Sequence, residues 1–446
     1  MDINLRFLNK LSQWFNTLRA PKASLKTESD DAQNGLISLL TIANQYQGQA
    51  TPKNLDSTVS SMPVFTEQGF IGRSSQIAQL TDVINLWRNH HGEISAIVAP
   101  SGAGLSTLLG QLPSLVQSNS VEPENPESTA KPLPKNGLIM SFYLAPLTAS
   151  DAIANVCYCF GIKPPTTLTD TSITDIIFAI NQLPAQLIVI DDLHKLMLRM
   201  MGNAQALVTF ATIVMETRKH HCWILGCEKF AWQRLSAQYQ ITQFIKHVIT
   251  VDYFSAKELA SIQTKQLVNL GLISKDDTQV APPAEHRLAK TSSKNSHTAH
   301  ETDEAMNPFD DQLKQLHTIS QGHPTLAILL LQYSFQQQTN TESSNGDSST
   351  HCICKINSSA LQLCQDNDLF SLAEIYVHGG LRVAQHAHIF AQTIEQSSLQ
   401  LAYLARQGLI IAQYSQQDFA QHFYFITPAL SKIIASHLVN NNKLFN

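Results

Sequence analysis

The segment Ala99-Pro-Ser-Gly-Ala-Gly-Leu-Ser-Thr107 stands between an apolar strand candidate, Ile94–Ala99, and the start of a helical pattern near Thr107–Gln117. A strand–loop–helix with glycines at 102 and 104 can turn backbone N–H groups inward around a phosphate, and the helix N-terminus adds partial positive charge. Pro100, Ser101, Gly102, Ala103, Gly104, Leu105, Ser106 and Thr107 are therefore candidate phosphate-contacting residues, with Ser106 placed to offer its hydroxyl to Mg2+. Two positions depart from the phosphate-loop pattern. Ala99 stands for the first glycine, which strand-like backbone angles tolerate. Leu105 stands for the lysine whose ammonium bridges the terminal phosphates. The cradle is expected to survive that loss, but rapid hydrolysis is not.

A second constellation lies about 85 residues further on. Leu187-Ile-Val-Ile-Asp-Asp192 is an apolar strand ending in two carboxylates. Asp191 is the candidate Mg2+-shell ligand, and Asp192 is the candidate catalytic group that polarises an attacking water. A strand-end Asp pair also caps helices. Its spacing from the glycine loop, with alternating elements between, is what favours the metal reading.

Together these motifs give the chain a resemblance to the AAA+ superfamily, in particular its origin-recognition-type and STAND (signal-transduction NTPase) branches. Phe70-Ile-Gly-Arg73, followed by an amphipathic helix through Trp87, looks like the F-x-G-R element that lies beside the adenine in those families. Gly322-His-Pro324, before an apolar helix, is similar to the G-x-P motif of STAND lids, whose proline packs near the base. The resemblance spans roughly residues 63–335. It implies a nucleotide switch binding ATP or ADP with Mg2+, a helical lid and often a winged helix behind it. Carried over residue by residue, it implies cofactor contacts at Phe70, Ile71, Gly72, Arg73, His323 and Pro324. The strand Trp223–Gly226 is followed by Cys227 and Glu228 where those families present a polar sensor. Arg234 is the nearest candidate for an arginine finger, and Lys195 and Lys229 are the nearby lysines that could replace the missing one.

The elements needed to position these residues are legible as an α/β pattern. From about Met62 to Asp252, short apolar strands (94–99, 138–144, 187–190, 223–226 and 248–251) alternate with helical periods (107–117, 150–160, 172–182 and 204–219). That predicts a parallel sheet sandwiched by helices. Ser255-Ala-Lys-Glu258 fits a capping box and should open a helix to about Leu270. Residues 369–378, 384–393 and 398–407 read as three helices, Ser398 as an N-cap, 409–413 and 422–427 as two wing strands, and 428–439 as a final helix. The expected organisation is 1–62 as an N-terminal amphipathic helix, a second helical stretch (Gly35 to Gln47) and a linker. It continues with 63–254 as the nucleotide-binding domain, 255–350 as a helical lid and 351–446 as a winged-helix-like domain. Segments 117–136, 274–311 and 336–349 have the composition of disordered insertions.

Composition narrows the partners. The chain has 446 residues, 15% of them charged, with a formal net charge of -5, which rules out a bulk polybasic nucleic-acid binder. From Asp366 to the end, five acidic residues outnumber four basic ones, so an independent duplex-DNA contact is disfavoured and a protein contact is expected. Ile3, Phe7, Leu8, Leu11, Trp14, Phe15 and Leu18 form one stripe of a helix over residues 2–19. That stripe fits docking on protein or, with Arg6, Lys10 and Arg19, a peripheral membrane contact. The apolar run 326–331 is far short of the ~20 residues that span a bilayer. Seven cysteines, an odd and sparse count, and the absence of a secretory signal pattern point to the cytoplasm and to buried structural thiols. The leading expectation is a degenerate nucleotide switch or scaffold, with little or no hydrolysis, coupled to a protein partner. Two alternatives stand beside it, an ATPase within a DNA-associated complex and a membrane-surface adaptor. Oligomeric state is left open.

Overall fold

The computed structural model describes residues 36–49, 72–119, 137–142, 145–196, 198–199, 204–269, 308–341, 353–413 and 421–445. The expected helix 2–19, Phe70, Ile71 and most of the three insertion-like segments lie outside the described residues. Three segment ends do not match their composition. Helices run through Asn119, begin at Pro308 and continue to Thr341. The Gln residues at 336–338 are good helix formers and extend the apolar helix before them.

Five strands form one parallel sheet: β2 (Ile94–Ala99), β3 (Gly137–Ser141), β4 (Leu187–Asp191), β5 (Cys222–Glu228) and β6 (His247–Thr250). A separate short strand, β1 (Leu36–Ser38), precedes them in the chain. The sheet order is β3-β4-β5-β2-β6. Because β2 lies between β5 and β6, the winding direction reverses beside it, and the carboxyl end of β2 opens on the crevice where such sheets bind ligands. Side chains alternate across the sheet as a period of two requires. Ile97, Ala99, Val189 and Ile224 pack under α2 (Ser74–Arg88) and α3 (Leu105–Asn119), whose Leu80, Ile84, Trp87, Leu108, Leu109 and Leu112 are buried. Before them in the chain comes α1 (Leu39–Gln49). The other face, with Ala96, Val98, Ile188 and Trp223, is covered by α4 (Ala149–Cys159), α5 (Asp170–Asn181) and α6 (Ala204–Thr217). Thr148 and Thr169 cap α4 and α5 through side-chain oxygens. This is the sandwiched parallel sheet that the strand–helix alternation predicts.

Beyond the sheet come α7 (Lys229–Tyr239), α8 (Ala256–Asn269), α9 (Pro308–Ser320) and α10 (Pro324–Thr341). Glu258 Oε2 accepts the Ser255 N–H at 2.9 Å, so the predicted capping box does open α8. The C-terminal region contains α11 (Asp366–Val377), α12 (Val383–Phe390), α13 (Ile394–Arg406), strands β9 (Ile410–Gln413) and β10 (Phe423–Ile426), and α14 (Ser431–Asn440). A two-residue strand, β8 (Leu381–Arg382), adds a third member to this antiparallel wing, in the order β8-β10-β9. The third helix starts earlier than expected. Thr393, not Ser398, is its N-cap, accepting the Gln396 N–H at 3.2 Å. Ser398 sits inside α13, where no orphan N–H needs it.

The stretch expected to be one helix from Gly35 differs more. Ser38 accepts the Thr41 N–H at 3.1 Å and starts α1 only at Leu39. Upstream of it, β1 pairs in parallel with β7 (Lys355–Asn357). Ile37, Leu39 and Ile42 are buried, and the Leu40 backbone lies directly against Gly408, so this segment packs on the C-terminal region. No described helix is long and apolar enough to cross a membrane.

Candidate functional site

The carboxyl ends of β2, β4 and β5 bring the two sequence constellations together. Gly102 and Gly104 have φ of 83° and 88°, which a side chain would strain. They let the 99–107 segment reverse direction between β2 and α3. Ala103 N–H closes the turn on the Pro100 carbonyl at 3.1 Å, and Leu108 N–H begins the helical ladder on Gly104 at 3.0 Å. Ala99 ends a fully buried strand, so the missing first glycine is accommodated by extended backbone. Leu105 is the first residue of α3 and packs at the edge of the apolar cluster with Ile77 and Tyr253. Ser106 is exposed, and its hydroxyl faces the Asp191 carboxylate.

Asp191 is only 8% exposed, and its Oδ1 has no hydrogen-bond partner. Its pKa is raised to about 6, first by burial and then by the Asp192 charge, with Ser106 and Lys195 acting the other way. A buried carboxylate with a spare oxygen beside a serine at a helix N-terminus suits a hard divalent cation, whose charge would remove the cost of keeping Asp191 ionised. Asp192 lies at φ 61°, an uncommon conformation for a non-glycine residue. Its Oδ2 accepts from Lys195 Nζ at 2.8 Å, and His194 Nε2 is 3.9 Å from its Oδ1. The Lys195 ammonium therefore occupies the Asp192 oxygen that a water would need.

The predicted Arg73 and His323 do not stand free in this site. Arg73 donates to the Ala103 carbonyl at 3.0 Å, and its guanidinium lies 4.2 Å from the Phe254 ring centre, so it props the loop from outside. Thr107 follows Ser106 in the first turn of α3, and Pro324 is the first residue of α10. His323 is fully buried against Gly102, where a Cβ would run into its Nε2. Its Nδ1 accepts the Leu326 N–H at 3.3 Å, which leaves the proton on Nε2, 3.0 Å from Ser431 Oγ. Burial above all lowers its pKa to about 4, so the ring is neutral at pH 7. Ser431 Oγ donates in turn to the Ser101 carbonyl at 3.1 Å, and Tyr253 OH donates to the same carbonyl at 2.9 Å.

Arg234, the arginine-finger candidate, is engaged elsewhere. Its NH1 and NH2 donate to both Glu374 oxygens at 2.9 and 3.1 Å, and Arg199 NH1 joins at 2.6 Å. Glu374 belongs to α11, so this fork ties the helix after β5 to the C-terminal region. Burial would raise the Glu374 pKa, but the neighbouring His378 and Arg234 outweigh it and hold the carboxyl well below its usual range.

Glu228, at the end of β5, is the group whose importance the sequence understates. It is paired in register with Ala99 and caps α7 by accepting the Ala231 N–H at 2.9 Å. Its Oε1 is buried without a partner. Burial pushes its pKa up to about 8. The folded protein therefore holds a proton that the unfolded chain releases near pH 4.5, and stability falls as pH rises from about 4.5 to about 8. Glu228→Gln keeps the cap and removes the charge. We expect it to stabilise the protein at pH 8–9 by about 1–3 kcal/mol and to flatten that pH dependence. Thermal melts of both proteins between pH 5 and 9 check this; parallel curves would contradict it.

No family model matches the sequence, and no curated protein matches it. Solved structures give a weak likeness of overall shape. The ORC2 protein of Aeropyrum pernix, titled as ADPNP–ADP complexes, shares 12% identity with a TM-score of 0.38, over 86% of this chain and 99% of that one. CDC6P of Pyrobaculum aerophilum shares 14% with a TM-score of 0.39, over 86% and 100%. ORC of Drosophila, bound to DNA, shares 10% with a TM-score of 0.37, over 90% and 91%. At these values the likeness carries no argument about this chain, and the site's own geometry has to carry the reading.

Among the described residues, no group of three or more His, Cys, Asp or Glu is arranged to hold a metal ion. Cys157, Cys222 and Cys227 are buried, in keeping with structural thiols.

Proposed function

We propose that this protein is a nucleotide-responsive switch or scaffold of AAA+ type, binding Mg·ATP or Mg·ADP weakly and hydrolysing it slowly or not at all. One observation carries the reading: Asp191, whose buried Oδ1 has no partner, holds its carboxylate beside the Ser106 hydroxyl at the start of α3, directly after the Gly102–Gly104 turn. That arrangement offers a cation ligand pair and a helix N-terminus to one polyphosphate. In the bound state Mg2+ would supply the charge that draws the terminal phosphates to the loop, with Ser106 and Asp191 holding it. Leu105 and the Lys195–Asp192 ion pair support slow chemistry, because one removes the phosphate-bridging cation and the other occupies the water-polarising acid.

Coupling to a partner would run through the C-terminal region. Ser431 and, through it, His323 hold the Ser101 carbonyl, so a loop that adjusts around phosphate must also adjust these contacts. The partner is proposed to be a protein rather than free duplex DNA, on the acidic balance of that region. Cytoplasmic location belongs to the same proposal, and membrane contact through residues 2–19 stands beside it as the alternative.

Thermal unfolding titrated with Mg·ATP and Mg·ADP tests it. Saturable stabilisation is expected, as for any ligand that prefers the folded state. Asp191→Asn is expected to melt a few degrees higher than wild type without ligand at pH 7–8, since a buried charge is removed, and to lose the Mg-dependent shift. A wild-type protein that shows no shift at millimolar nucleotide would overturn the proposal.

A further inference from the structure

Two lysines lie near the loop that lacks a charge at Leu105: Lys229, already legible in the sequence, and Lys432, which the sequence does not point to. Lys229 follows Glu228 at the end of β5, and Glu228 is paired with Ala99, the residue before the loop begins. Lys432 follows Ser431, whose hydroxyl is bonded to the Ser101 carbonyl. Its Nζ lies 4.7 Å from the centre of the Tyr253 ring, and the hydroxyl of that tyrosine bonds the same carbonyl. Lys432 thus stands at the Ser101–Gly102 side of the loop, and the Lys229 charge is close enough to act on it. Lys229 Nζ is 5.6 Å from the Phe230 ring centre, and neither lysine has a carboxylate within ion-pair distance among the described residues.

The surroundings say what these ammonium groups lack. Lys432 is lowered from its ordinary value by burial and then by the Lys229 charge, with Asp252 as the opposing acid. Glu228, the carboxyl next to Lys229, is largely protonated at neutral pH and does not neutralise it. His323, facing Gly102, is neutral, and Arg73 is committed to the Ala103 carbonyl and Phe254. Two half-buried cations that repel each other beside a glycine loop are a costly arrangement unless an anion is present for part of the protein's cycle.

We infer that Lys432, from the C-terminal region, and Lys229, from the end of β5, together form the polyphosphate-facing cation pair of this site and replace the lysine lost at position 105. The inference rests on the nucleotide reading above and adds a consequence to it. The site is complete only while α14 is docked on the loop, so polyphosphate binding and docking of the C-terminal region stabilise each other. The ligand class is a nucleoside di- or triphosphate with its Mg2+. The recognition acts on the phosphates, and inorganic tripolyphosphate should show it without the base.

Equilibrium titration of the full chain with Mg·ADP, Mg·ATP and Mg·tripolyphosphate provides the test. Lys432→Gln and Lys229→Gln are each expected to weaken all three by about tenfold, the size of one lost charge-assisted contact. Lys432→Arg should retain most of the affinity. Leu105→Lys in the Lys432→Gln background should restore binding, a rescue that a merely structural Lys432 would not give. If wild type binds and both glutamine variants bind equally well, the cation-pair inference is wrong while the nucleotide reading stands. If wild type binds none of the three probes, both are wrong. Should Lys432→Gln fail to fold, the Lys229→Gln titration decides on its own by the same criterion.

Discussion

Leu105→Lys should tighten Mg·ADP and Mg·ATP binding by about tenfold or more. Position 105 is the first residue of α3, directly before the Ser106 hydroxyl and after the Gly104 turn. An ammonium there could reach the same phosphates that the loop N–H groups approach, and a charge-assisted contact to phosphate is worth about 1.5–3 kcal/mol. The exchange has a cost. Leu105 packs against the buried cluster under α2 and α3, and removing that half-buried side chain should lower unliganded stability by about 1 kcal/mol. The expected signature is thus a lower melting temperature without ligand and a higher one with it. Unchanged affinity would mean that the first turn of α3 does not face the phosphates.

Arg234→Ala should cause the largest loss of stability among single changes around the site. Glu374 is 5% exposed at its side chain and is held inside the protein by the Arg234 fork and by His378 at 3.4 Å, while Arg199 is largely in solvent. Breaking a buried ion pair from one side leaves an uncompensated charge, at a cost of about 3 kcal/mol. The effect should appear as a fall of roughly 6–12 °C in melting temperature for a domain of 150–250 residues. It should also loosen the C-terminal region from the sheet, seen as faster amide exchange around Ser101 and Gly102. Arg234→Ala combined with Glu374→Ala should be less destabilised than the two single changes added, because the stranded carboxylate is gone. Strict additivity of the two would show that the pair does not hold the regions together.

These expectations divide along the line between local and long-range information. The glycine loop, the Asp191–Asp192 strand end and the α8 capping box were readable because each is a short pattern whose chemistry is local. The sandwiched parallel sheet followed from strands and helices alternating at regular intervals. Strand β1 was not readable, since three residues become a strand only by pairing with β7, hundreds of positions later. Ser398 has the residue type of a cap, but Thr393 comes first and satisfies the helix end. The roles of Glu228, Ser431 and Lys432 depend on how α14 and β5 meet the loop, and nothing adjacent to them in sequence signals that meeting. His323 was singled out from the Gly-His-Pro pattern, yet its neutral state and its bond toward Ser431 follow from burial and from the Leu326 N–H.

The central claim is that Ser106 and Asp191 form a cation-assisted polyphosphate site in spite of Leu105. Calorimetric titration of the wild-type chain with ADP, once in magnesium and once in EDTA, tests it most directly. Saturable binding in magnesium that weakens at least tenfold in EDTA is the result this account predicts. Equal affinity under both conditions, or no heat in either, would contradict it.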